Sequence, residues 1–115
     1  MRRIAMSKKL RCIIKRPDEP YGHVTNISNT LENLQKTVGG YIETVKLTES
    51  DVIICNEEGK LQGLEKNLRM YGDTVYSDTL VGTIIVLGTE GDEFADVKID
   101  FQMWKQLVDK WEGRG

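Results

Sequence analysis

Histidine occurs once in this 115-residue sequence, cysteine twice and proline twice, and no apolar run is longer than a strand. Each scarcity excludes something. A membrane-spanning helix needs about 20 consecutive apolar residues, and none is present. The basic start is followed by apolar runs of only two or three residues, so no secretory h-region is expected. A structural zinc needs four Cys or His ligands at short spacings, and Cys12, Cys55 and His23 cannot supply them. Nucleophilic catalysis usually sets a histidine beside the nucleophile. His23 sits in a Pro/Gly loop and reads as a solvated loop or strand-edge residue. The Gly-x-Ser-x-Gly elbow, the Walker loop and Gly-x-Gly-x-x-Gly are all missing. Gly59-Lys60-Leu61-Gln62-Gly63 lacks the hydroxyl residue and following helix that a phosphate cradle needs. Both cysteines sit in strand-like apolar runs, where a free thiol behaves as a small hydrophobe. Reduced, buried thiols of a cytoplasmic protein are the expectation, with a single bridge between neighbouring strands left open.

The formal charge of −2 conceals a division. Residues 1–16 carry seven bases and no acid, whereas residues 17–115 carry nine bases and all 18 acids, a net of −9. Residues 1–9 read as a basic tail and residues 10–115 as one α+β domain, since the chain is too short for two cores. A basic arm adds salt-dependent, sequence-blind affinity for nucleic acid. With only Tyr21 nearby for stacking, however, direct nucleic-acid binding is the weaker reading. An acidic body suits basic protein surfaces better.

Leu10 to Lys15 reads as the first strand, stopped by Arg16-Pro17-Asp18-Glu19-Pro20-Tyr21-Gly22, with Val24 to Ile27 pairing back as a short edge strand. Asn29 is an N-cap type with Glu32 three residues on. Leu31, Leu34 and Val38 form one stripe, and Gly39-Gly40 ends the helix. Tyr41 to Leu47 follows as a strand in which Glu43 interrupts the apolar face, a sign of an exposed edge or a role. Val52 to Cys55 is a β-branched run fit for a central strand, and Asn56-Glu57-Glu58-Gly59 is a tight turn. From Lys60 to Tyr71 neither period is visible, so an irregular excursion packed down by Leu61, Leu64, Leu68 and Met70 is expected. Val81 to Gly88 reads as one central strand. Asp100 caps a last helix with Phe101, Trp104, Leu107, Val108 and Trp111 on its packing face, ended by Gly113. The resulting fold class is α+β: a mostly antiparallel sheet of about five strands with two helices packed on one face.

The carboxylates Glu90, Asp92, Glu93, Asp96 and Asp100 are dense enough to raise a divalent cation, but they miss the EF-hand spacing and read first as a solvated acidic turn. No metal ligand, cofactor or catalytic residue is assigned.

Three segments carry a resemblance. They are Leu31 to Glu43 with its Gly39-Gly40-Tyr41-Ile42-Glu43, Ile54 to Leu64 with Asn56-Glu57-Glu58-Gly59-Lys60-Leu61, and Leu80 to Gly88. Together they resemble an uncharacterised family of phages, plasmids and other mobile elements, catalogued as domain of unknown function 3846. The resemblance runs from about Ile13 to Phe94 and leaves the Trp-bearing last helix outside. Where such proteins carry prolines after Gly-Leu, this chain has Glu65-Lys66-Asn67. The family supplies no catalytic residues; it implies a small accessory protein that acts by binding. The expected function is inhibition or modulation of a host protein complex, a defence system among the candidates, in the host cytoplasm and without a membrane. The binding residues are expected among Tyr41, Glu43, Asn56, Glu57, Lys60 and Asn67, with exposed Tyr41, Tyr71 or Tyr76 suiting an interface. The alternatives are an oligomeric sponge for a small nucleotide signal and a metal-dependent enzyme using the Glu90–Asp100 carboxylates.

Overall fold

A computed structural model describes residues 9–71 and 77–114; the basic tail up to residue 8 and Tyr76 lie outside the described residues. Its elements in chain order are β1 (Lys9–Lys15), β2 (His23–Ser28), α1 (Leu31–Val38), β3 (Ile42–Lys46), β4 (Asp51–Asn56), β5 (Lys66–Tyr71), β6 (Ser77–Val81), β7 (Ile84–Glu90), β8 (Glu93–Ala95) and α2 (Phe101–Glu112). The main sheet has six strands in the order β2-β1-β7-β4-β3, with β8 paired to the far half of β7, and every pairing is antiparallel. β5 and β6 form a separate two-stranded sheet. The α+β, antiparallel expectation therefore stands, with six strands rather than about five.

The helices do not share a face. Strand side chains alternate between faces. Ile13, Ile53, Cys55, Ile84 and Val86 pack with Trp104 and Val108 of α2 and with Leu68 and Leu80 of the β5–β6 hairpin. Leu10, Cys12, Ile54, Ile85 and Leu87 pack with Leu34 and Val38 of α1. The physical reason is that β4 and β7 are apolar on both sides, so each side must be covered. This also settles the thiols: both cysteines are free and buried, and they lie in the two different clusters. Burial pushes each up to about 11.

Three further local readings are corrected. Thr30, not Asn29, caps α1: its Oγ1 accepts from the Asn33 N–H at 3.1 Å. Val81 to Gly88 is not one strand, because Gly82 adopts φ +75° and turns the chain from β6 into β7. The stretch expected to be irregular contains β5, disguised by a register shift between Lys66 and Leu68 that turns both Asn67 and Leu68 inward.

α2 is seated by fully buried Trp104, which meets Trp111 edge to face at 6.4 Å and donates through Nε1 to the Tyr21 carbonyl at 2.8 Å. The Tyr21 hydroxyl in turn donates to Asp109 at 2.8 Å and holds that carboxyl below its usual range. The loop before β2 is thereby pinned to α2. No helix among the described residues is long and apolar enough to cross a membrane.

Candidate functional site

The turn after β4 is organised from inside by Asn56, which is 5% exposed. Its Oδ1 accepts from the Glu58 N–H at 2.8 Å, and its Nδ2 donates to the Val38 carbonyl at 3.2 Å and to Gln62 Oε1 at 3.1 Å. A side-chain oxygen bonded to the N–H two residues on mimics a backbone turn. The backbone adds Glu57 N–H to the Tyr41 carbonyl at 2.8 Å, Gln62 N–H to Glu58 at 3.0 Å and Leu64 N–H to Gly59 at 3.0 Å. Gly40 lies so close to Asn56 that a Cβ there would stand 2.9 Å from Nδ2. The turn is thus tied to the end of α1, to the start of β3 and to itself.

Such a scaffold presents the side chains it does not need. Leu61 is 89% exposed and Tyr41 66%. Glu57 and Lys60 are exposed beside them, and Lys60 Nζ reaches Asp78 Oδ1 on β6 at 3.1 Å. Glu43 stands exposed on the edge strand β3, in register with Cys55. Glu43, Glu57, Lys60, Leu61 and Asp78 line a cleft of about 310 Å3, with three carboxylates to one ammonium. The Cys55 thiol also lines it but is held protonated by burial, assisted by Glu43 and Asp78, so it is no nucleophile there.

Of the six residues expected at the site, Tyr41, Glu43, Asn56, Glu57 and Lys60 come together. Asn56 holds the turn, whereas the other four face outward. Asn67 stands elsewhere, 6% exposed, donating to the Lys15 and Gly82 carbonyls at 2.8 Å each and accepting from Lys15 Nζ at 2.8 Å. Leu61, expected to be a packing anchor, is the most exposed large apolar side chain among the described residues. Lys15 was also missed, although the alternation from Ile13 places it on an inward face. Three of the five carboxylates in the acidic stretch are used singly: Asp96 accepts from the Arg11 N–H, Asp100 caps α2 and Glu90 pairs with Lys98 at 3.5 Å. Among the described residues no three His, Cys, Asp or Glu groups stand close enough to hold a metal ion.

Residues 10–111 match a family model described as a domain of unknown function, DUF3846. The chain belongs to this family. The match takes in α2 up to Trp111, so the last helix is part of the DUF3846 domain rather than an addition to it, as the seating of Trp104 in the main core requires. It also covers the Asn56 turn and Lys15. No curated protein and no solved structure matches the chain.

Proposed function

We propose that this DUF3846 protein is a non-enzymatic binding protein of phage or mobile-element origin that inhibits or modulates a host protein complex, with the turn at residues 57–63 as its contact surface. The observation that carries the reading is Leu61. A leucine exposed to nine-tenths on an internally bonded turn gains nothing for the fold, and it lines one cleft with the charged Glu43, Glu57, Lys60 and Asp78. Interface hot spots combine a central apolar or aromatic anchor with a polar rim. A rigid anchor loses little conformational entropy on docking. The acid excess of the rim selects a partner with a basic surface around an apolar pocket, and it disfavours the phosphates of a nucleotide signal.

The test is affinity capture from a lysate of the host cell with the full chain and with Leu61→Asp, compared by quantitative mass spectrometry. The reading expects at least one host protein to be held by the native chain and depleted at least about tenfold with the variant, a change of about 1.4 kcal/mol. Identical captured sets would overturn it.

A further inference from the structure

A second cleft, of about 370 Å3, lies between the loop after β1, the start of β5 and the end of α2, and it holds a different chemistry. Lys15 is 3% exposed, and its Nζ donates to the Asn67 carbonyl at 3.2 Å and to Asn67 Oδ1 at 2.8 Å. An ammonium has three N–H donors, so one has no acceptor among the described residues. No carboxylate among the described residues lies within ion-pair distance of it. Buried ammonium groups are normally matched to a carboxylate, and this one is held by an amide instead.

The rim divides into claimed and unclaimed charges. Glu19 accepts from the Arg16 N–H and stands 3.2 Å from His23 Nδ1, and Arg114 is engaged by Asp109 and the Pro20 carbonyl. The side chains of Asp18, Lys66 and Glu112 have no hydrogen-bond or ion-pair partner among the described residues. Two cationic groups with free donors, Lys15 and Lys66, therefore face the same space as two unclaimed carboxylates, Glu112 and Asp18. A simple anion would meet the carboxylates and a simple cation the ammonium groups. The volume is at the lower end of small-molecule pockets, which run from about 300 to 1,000 Å3.

We propose that this cleft binds a small zwitterion of the α-amino-acid type, its carboxylate on Lys15 and Lys66 and its ammonium on Glu112 and Asp18. Asn67 is then a positioning residue: it holds the Lys15 ammonium at the cleft floor and leaves one donor for the ligand. The site is separate from the turn around Leu61, and neither proposal depends on the other.

The experiment is a titration of the full chain, followed by amide NMR shifts, with each of the common amino acids and with acetate and methylammonium as half-ligands. The expected result is saturable shifts at residues 15–20, 66–67 and 112–114 with at least one amino acid, at an affinity about tenfold or more above either half-ligand. Glu112→Gln, a surface-reaching change that leaves the Lys15–Asn67 pair intact, should weaken that binding by about tenfold while leaving the chain folded and acetate binding no weaker. Absence of saturable shifts with every amino acid, acetate binding as tightly as any of them, or an unaltered affinity in Glu112→Gln would each overturn the proposal.

Discussion

Asn56 and Asn67 are equally buried, at 5% and 6%, and both stand at the same end of the main sheet, where β1 and β4 finish against the start of β7. They use the same side chain for opposite purposes. Asn56 bonds only to neutral groups, and all its bonds shape a turn that pushes Leu61, Lys60 and Glu57 outward. Asn67 joins two sheets: its amide bridges the Lys15 and Gly82 carbonyls while its oxygens draw a charged group inward. A buried amide can display or lock, and whether a charge depends on it decides what its loss costs.

The largest expected effect is therefore at the lock. Asn67→Ala leaves a buried ammonium with one of its two acceptors and takes a side-chain donor from two carbonyls; a lost bond to a charged group plus two neutral ones costs about 3–4 kcal/mol in all. Urea unfolding should show that loss, and Lys15→Met in the same chain should recover part of it, because the stranded charge is then gone. Equal loss in the single and double variants would mean that the charge is irrelevant. Asn56→Ala removes three side-chain bonds without stranding a charge, for an expected cost of about 2 kcal/mol, less than at Asn67. If the order were reversed, the distinction between the two asparagines would fail.

The lock should also respond to pH where the turn does not. Burial lowers the pKa of Lys15 from its ordinary value, against the opposing pull of Glu112, Glu19 and Asp18 and with the help of Arg114. Below that lowered value both folded and unfolded chains are protonated, and the buried charge costs stability in full. As pH rises toward the ordinary lysine range the unfolded chain binds more protons, so stability gains. The native chain should thus improve relative to Lys15→Met as pH rises through that window, whereas the difference between the native chain and Asn56→Ala should show no such trend. The thiols work in the other direction: with pKa raised from 9.0 to about 11, Cys12 and Cys55 withdraw stability as pH climbs from 9 to 11. Alanine at both positions should remove that fall, read from unfolding midpoints at each pH. Leu61→Asp is the smallest perturbation, within about 0.5 kcal/mol of the native stability, because that side chain is exposed to nine-tenths.

Much of the fold was legible. The β1–β2 hairpin, both helices and β4 follow from period, caps and turn residues that local physics rewards one at a time. Three things were not, each for its own reason. The bulge at Asn67 breaks the alternation that would have exposed β5, and β5 pairs only with a strand ten or so residues away. Gly82 breaks an apolar run that by composition looks continuous. The helix faces reveal that each helix has an apolar side but not which side of the sheet it meets; that information lies in β4 and β7, whose two apolar faces demand two covers. The site was half legible. The motif around Asn56 pointed to the turn, but the sequence could not separate the residue that builds the turn from the residue it presents, and it assigned Leu61 inward. Asn67 was chosen as a polar group in a loop, when its polarity serves Lys15.

The central claim is that the 57–63 turn is a display surface. A photo-crosslinking amino acid placed at Leu61 and, in a separate chain, at Val24, a 45% exposed apolar residue on the edge strand β2, tests it inside host cells. The account predicts a discrete covalent adduct with a host protein from position 61 and none from position 24. Adducts from position 24 alone, or of equal yield from both positions, would contradict it.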